Sequence, residues 1–337
     1  MTKLVKLLLI ATIFIGMQAT AGVLEDTKKQ GFVKCGVDGG LPGFSEILSG
    51  GVYKGIDVDG CRSVAAAVLG DASKVKYIAL NAKERLTALQ SGEIDVLYRN
   101  TTWTQSRDTS LGLNFAGVNY YDGQGFMVRK SLNVSSAKEL DGASVCLQTG
   151  TTTELNVADY FRTNGMKYKT VSYDTNDQVV SSYENGRCDI LTSDASQLYG
   201  LKTKLKDPAK HIVLPEIISK EPLGPVVRQG DDEWFNIVKW SYNAVVAAEE
   251  LGVTSANVDK LKTSTKSPAI KRLLGTEGKM GANLGLNADF AYQIIKQVGN
   301  YGEIFERNIG INTSLKMERG INALWTNGGL QYSPPFR

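Results

Sequence analysis

"IDVLYRNTTWTQSRD", from Ile94 to Asp108, decides how this chain is read. Ile94–Tyr98 is a short apolar run bounded by polar residues, the pattern of a strand covered on both faces. It delivers Asn100, Thr101, Thr102, Thr104 and Arg107 at its carboxyl end. A polar loop with a solvated arginine would use the same residue types. The flanking sequence weighs against that plain reading.

Upstream, strands and helices alternate. "GFVKCGV" (Gly31–Val37) reads as a strand, and the glycine-rich turn "DGGLPGFS" follows it. "DVDGCRSVAAAVLG" reads as a helix, with Val58, Cys61, Val64, Ala65 and Val68 at helical spacing and Gly70 as its stop. "KVKYIAL" is a strand. "NAKERLTALQSG" is a helix opened by Asn81 and Glu84 at capping-box spacing and stopped at Gly92. The alternation predicts an α/β fold with mostly parallel sheets flanked by helices.

Downstream the layout repeats. "LTALQSGEIDVLYRNTT" and "VVSSYENGRCDILTSDA" each run from helix to glycine (Gly92, Gly186), to aspartate (Asp95, Asp189), to a short apolar strand. The second strand ends in Thr192, Ser193 and Asp194. Two such units predict two lobes of similar build. Ligands of open α/β sheets lie beyond the carboxyl ends of the strands, where both polar clusters stand. Between them, "SVCLQ" reads as a strand and "TELNVADYF" as a helix with Leu155, Ala158 and Phe161 on its buried face. The turn Gly150–Thr153 then places threonine hydroxyls and unpaired amides at a helix N-terminus, which suits an anion. The spacing is not that of a P-loop.

Bulk properties narrow the function. Lys3 and Lys6, the apolar run Leu7–Ile15 and Ala19-Thr20-Ala21 before Gly22 have the layout of a secretory signal peptide over residues 1–21. No cysteine stands at the cleavage point, so no lipid anchor is expected. The net charge is +3, or +1 once Lys3 and Lys6 are removed, which disfavours a nucleic-acid partner. Four cysteines suit two disulfides in an oxidising compartment. Three pairings are possible; the chain order favours Cys35–Cys61 in one lobe and Cys146–Cys188 in the other. The single histidine, His211, has no nucleophile or second ligand beside it in sequence, so neither a hydrolytic triad nor a metal site is expected.

The clusters share one chemistry. Arg107 offers a planar fork for a carboxylate. Thr102 and Thr152 add N–H groups from opposite lobes. Asp194 offers a negative charge for an ammonium group. This is a zwitterion clamp for an α-amino acid, complete only when both lobes close on it.

With these motifs in this order, the sequence resembles the periplasmic substrate-binding proteins of polar amino-acid ABC transporters, closest to their general L-amino-acid-binding group. "DVLYRNTTWTQSRD", "VCLQTGTTTE", "GRCDILTSD" and "EPLGPVVRQGDDEWFNIV" carry the resemblance. It implies a clam-shell fold: lobe 1 over residues 22–128 and 222–337, with a C-terminal helical extension from about Glu249, and lobe 2 over 129–221. It implies that Arg107 and Thr102 take the α-carboxylate, with Thr151, Thr152 and Thr153 as the second-lobe turn. Asn100 and Asp194 take the ammonium, and Asp38 meets the ligand side chain. Leu41 and Ile56 stand where members that hold basic amino acids often place aromatics, and aliphatic walls there imply a broad range. Arg99, where the family often has serine, either favours acidic side chains or points outward.

The resemblance further implies a monomeric periplasmic receptor without cofactor or catalysis, serving an inner-membrane permease and its ATPase. The alternative is an enzyme on the same scaffold, such as a cyclohexadienyl-type dehydratase, with Asp38, Glu46 or Glu154 as acid or base. Tyr120-Tyr121 and Trp234-Phe235 read as core or hinge packing. "ALWTNGGLQYSPPFR" is expected to pack on the first lobe.

Overall fold

The computed structural model describes residues 22–337, so the expected signal peptide lies outside the described residues. Two five-stranded sheets organise the chain. In the first, the strands run in the order Val75–Ala79, Val33–Val37, Val96–Leu97, Val226–Arg228, Leu113–Phe115. In the second, the order is Lys169–Tyr173, Ser144–Gln148, Ile190–Asp194, Gln124–Arg129, His211–Val213. Four strands of each sheet run in one direction, and the fourth in order is antiparallel to both its neighbours. Only that one strand in each sheet runs against the rest, so the sheets are mostly parallel, as the alternation predicts. That fourth strand has crossed from the other lobe in each case, which reverses its direction.

The crossovers form a two-stranded antiparallel ribbon, Tyr120–Asp122 with Glu221–Leu223. Gln124–Arg129 lies wholly in the second sheet. The change of lobe thus falls at the ribbon, before the sequence division at 128/129, which cuts through this strand.

The repeated aspartates explain the echo in the sequence. Asp95 accepts the Lys34 amide at 2.9 Å, and Asp189 accepts the Ser144 amide at 2.9 Å. Each ties the central strand of its sheet, which leads to a polar cluster, onto the parallel strand beside it. Each lobe also holds one disulfide, Cys35–Cys61 and Cys146–Cys188, with Cα atoms 6.0 and 5.6 Å apart.

The helix Ile56–Leu69 covers the first sheet and stops at Gly70 in the left-handed region. It starts after Gly55, whose φ is +138° and where a Cβ would lie 2.0 Å from the Phe44 carbonyl oxygen, so only glycine fits. The helix Thr153–Thr163 buries Thr153, Val157 and Phe161, while Leu155 is 72% exposed, contrary to the expected face. The helical stripe begins at the turn residue and passes Leu155 by. The Asn81–Glu84 turn forms both capping contacts, although the regular helix begins only at Arg85.

Beyond the long helix Asp232–Glu250, the C-terminal extension packs on the first lobe. Its helices Val258–Ser264, Pro268–Leu273, Phe290–Val298 and Tyr301–Asn308 bury Phe290, Ile294, Tyr301 and Phe305. Among the described residues no helix is long and apolar enough to cross a membrane.

Candidate ligand-binding site

The lobes meet where their polar strand ends face each other. Thr102 Oγ1 lies 3.5 Å from Thr152 Oγ1 across the seam. Both hydroxyls donate to Glu221 Oε2, at 2.6 and 2.9 Å. Glu221 Oε1 accepts from Ser219 Oγ at 2.7 Å and from Asn156 Nδ2 at 2.6 Å. A carboxylate of the crossover ribbon thus joins the two lobes in a closed arrangement. Lys83 and Asp174 pair across the seam's outer edge at 2.5 Å.

Asn100 turns the chain at the strand end with φ +35°, a conformation asparagine tolerates better than most residues. The turn aims its amide at Asp57 Oδ2, 2.9 Å away, in the first turn of Ile56–Leu69. Burial raises the Asp57 carboxyl to about 7, against the opposing bond from Asn100. Thr104 caps the short helix Gln105–Ser110 by accepting the Arg107 amide at 3.3 Å. The Arg107 guanidinium turns back, and its Nη1 donates to the Thr102 carbonyl at 2.9 Å. Burial lowers the Arg107 pKa, and the Glu221 and Asp194 charges oppose that shift.

Asp194 ends its strand beneath the seam. Its carboxyl is held well above the ordinary range by burial, then by Asp122 and Glu221, while Arg85 and Arg107 pull it down. A carboxyl so placed gains from a nearby cation. The helix Thr153–Thr163 points its N-terminus at the same space, and first-turn amides have no intrahelical acceptor.

These groups line a polar pocket at the seam, closed down to about 10 Å³, room for a single water, with Arg85, Asn100, Thr102, Thr152, Asp194 and Gln197 among its walls. Thr151 and Thr153 also line it. Arg107 stands behind Thr102 rather than on the wall. Asp38 lines the next cavity along the seam. The aliphatic walls expected from Leu41 and Ile56 are not there: both side chains are buried in the hydrophobic core, where apolar groups escape water more fully than in a polar cleft. Arg99 does not point outward. It is 1% exposed, donates from Nε to the Leu80 carbonyl at 2.9 Å and pairs with Asp38.

Of the proposed acids, Glu154 closes the threonine turn by accepting the Gly150 amide at 3.0 Å. Glu46 belongs to the small sheet of Gly40–Leu41, Ser45–Ile47 and Tyr53–Lys54. His211 is buried against Tyr183, with 2.8 Å between Nδ1 and the phenol oxygen.

Arg85, Gln148, Asn176, Gln197 and Glu221 also stand at the seam and were not singled out from sequence. One signal was available: Arg85, Ala88 and Leu89 form the buried stripe of their helix, so a charged residue sits on an apolar face. Arg85 Nη1 donates to the Arg99 carbonyl at 3.1 Å, and its Nε is buried without a partner.

Known proteins share this architecture. The general L-amino acid-binding periplasmic protein AapJ of Rhizobium johnstonii is 60% identical over 321 residues, covering 95% of this chain and 94% of the relative. The glutamate/glutamine/aspartate/asparagine-binding protein BztA of Rhodobacter capsulatus is 56% identical over 319 residues, covering 95% of this chain and 94% of that one. An ABC transporter periplasmic binding protein from Brucella ovis, solved with glutathione bound, superposes with a TM-score of 0.92 at 56% identity, covering 94% of this chain and 100% of that one. The sequence model of the bacterial extracellular solute-binding proteins, family 3, matches residues 33–256, a span that takes in both sheets, the ribbon and every residue of the seam described above. The chain therefore belongs to the bacterial extracellular solute-binding proteins, family 3.

Proposed function

We propose that this chain is a periplasmic receptor that captures free L-amino acids over a broad range and presents them, as a monomer, to an inner-membrane ABC permease and its ATPase. The observation that supports the reading is the polar pocket at the seam to which lobe 1 brings arginines while lobe 2 brings Asp194 and a helix N-terminus. The α-carboxylate is assigned to the amides of Thr102, Thr152 and Thr153 and to Arg107, whose guanidinium reaches it by turning from the Thr102 carbonyl, and the ammonium to Asp194 and Asn100. The hydroxyls of Thr102 and Thr152 already donate to Glu221, so they brace the closed lobes while their amides face the ligand. The names of the AapJ and BztA relatives support an amino-acid ligand.

Breadth is not attributed to aliphatic walls. The side-chain end of the cavity is polar, bounded by Arg85 and by Arg99 with its partner Asp38. The Arg99–Asp38 pair neutralises itself and so does not reward one ligand charge over another. Calorimetric titration of ligand-stripped protein tests the proposal. Several L-amino acids should bind, with D-alanine and 2-keto acids silent. Equal binding of L-alanine and pyruvate would remove the ammonium half of the clamp.

A further inference from the structure

The seam carries a second feature beyond the clamp. Five side chains close a ring of hydrogen bonds across the cleft. Arg99 Nη1 donates to Asn100 Oδ1 at 3.3 Å, and Asn100 Nδ2 to Gln197 Oε1 at 3.2 Å. Gln197 Nε2 donates to Asn176 Oδ1 at 2.8 Å, and Asn176 Nδ2 to Asp38 at 3.3 Å. The direct Arg99–Asp38 pair closes the ring. Asp38, Arg99 and Asn100 come from the first lobe, and Asn176 and Gln197 from the second. All five side chains are at least nine-tenths buried.

The ring has a polarity. Arg99 only donates and Asp38 only accepts, and three carboxamides pass the hydrogen bond from one to the other. A ligand carboxamide that parts the direct Arg99–Asp38 pair and takes its place is one more link of the same kind. Its carbonyl accepts from Arg99 and its N–H donates to Asp38, so every buried group keeps a partner. A ligand carboxylate in that place competes with Asp38 for Arg99 and leaves Asp38 with only its neutral donors, the Gly40 amide and Asn176 Nδ2.

The amide nitrogen has a second substituent position, and the fold leaves room beside it. A second, more open pocket of about 280 Å³ adjoins the first and shares Arg99 and Gln148 as walls. It is lined on its far side by Ala79, Asn81, Glu84 and Thr175.

We infer that the side-chain end of the cleft reads a carboxamide, and that the outer cavity takes a group attached to the amide nitrogen. The ligand class is the γ-glutamyl peptide: a free α-amino acid end in the clamp, an amide in the ring and a further residue outside it. This rests on the zwitterion-clamp reading of the inner cavity. The glutathione held by the Brucella ovis relative is a molecule of this class.

The test is calorimetric titration of the ligand-stripped full chain with L-glutamine, L-glutamate, γ-L-glutamylglycine and α-L-glutamylglycine. The γ-linked dipeptide should bind within about tenfold of glutamine, while the α-linked isomer, which lacks the free α-carboxylate beside its ammonium, should not bind. Ala79→Trp fills the outer cavity from an exposed strand end, so it should abolish γ-glutamylglycine binding and leave glutamine unchanged. Asp38→Asn frees Arg99 and should shift the glutamate-to-glutamine preference toward glutamate by about tenfold. Glutamine binding without γ-glutamylglycine binding, or an equal loss of both in Ala79→Trp, overturns the inference and leaves the clamp intact. Failure of glutamine and glutamate alike overturns the clamp, and this inference with it.

Discussion

The two lobes share a sheet order, a strand-tethering aspartate and one disulfide each, yet they bring opposite chemistry to the seam. Lobe 1 supplies Arg85, Arg99 and Arg107. Lobe 2 supplies Asp194, the threonine turn and the amides of Asn176 and Gln197. Lobe 1 can therefore hold a carboxylate before closure, whereas lobe 2 has little to hold until a ligand lies between them. On the proposed clamp the difference gives closure a direction, because the ligand seated on lobe 1 would carry the ammonium assigned to Asp194.

Removing the lobe 1 charge should have the largest effect. Arg107→Ala is expected to weaken L-glutamate binding by about 2–5 kcal/mol, from about thirtyfold to several-thousandfold, because it strands the ligand carboxylate in a closed cleft. Arg107→Lys should recover only part, since an ammonium lacks the planar fork. Calorimetry that found alanine and wild type alike would remove lobe 1 from its role as first contact. Asp194→Asn should cost less, about 1.5–3 kcal/mol, because the amide still accepts one bond from the ammonium. If Asp194→Asn proved the more damaging, capture would begin on lobe 2 and the order of events would reverse.

Acid titration probes the cost of building lobe 1 around the site. Asp57, beneath Asn100, has a carboxyl raised from 3.8 to about 7 by burial. Between those pH values the folded chain holds a proton that the unfolded chain has lost. The contribution to stability is therefore full below 3.8 and declines as pH rises toward 7, with a slope of up to about 1.4 kcal/mol per pH unit. Asp189 of lobe 2 is shifted the other way, held down by bonds from Ser144. Asp57→Asn should flatten the fall in denaturation midpoint between pH 4 and 7. An unchanged profile would place the titration elsewhere.

Glu221 belongs to neither lobe and touches both. Glu221→Gln replaces an acceptor-only carboxylate with a group that cannot take all four bonds, so closure should weaken by about 1 kcal/mol and affinity by about fivefold. A larger loss than that of Asp194→Asn would make the ribbon, rather than lobe 2, the closing element.

Much of this was legible in the residues. The strand runs, the Gly70 stop and both polar strand ends follow from local periodicity and turn chemistry. What escaped depends on closure. The Asp38–Asn176 and Asn100–Gln197 bonds join residues 138 and 97 positions apart, and no local pattern encodes such pairs. Leu41 and Ile56 stood in the positions of ligand-facing residues, but apolar side chains at the start of a helix and in a two-residue strand gain more from the core. Glu221 lies in "KEPLGP", where the proline reads as a turn signal and hides a carboxylate that binds four donors.

The smallest effect concerns a feature of lobe 1 that lobe 2 lacks. The C-terminal extension grips the outgoing crossover. Asn322 Oδ1 accepts the Tyr121 amide at 2.7 Å, and its Nδ2 donates to the Tyr121 carbonyl at 2.9 Å. Tyr301 donates to the Asn119 carbonyl at 2.9 Å, and Tyr242 to that of Val118 at 2.7 Å. These bonds tie the ribbon to lobe 1 up to Tyr121, so any opening of the lobes is expected to turn at the segment around Gly123, where lobe 2 begins. Asn322→Ala removes two bonds worth about 0.5–1.5 kcal/mol each and frees the ribbon to bend on the lobe 1 side as well. Small-angle scattering of the ligand-free variant should show a broader range of openings, with affinity lowered about two- to fivefold. Scattering and affinity equal to wild type would mean that the neighbouring tyrosines hold the ribbon alone. The asymmetry between the lobes would then rest on charge and not on the hinge.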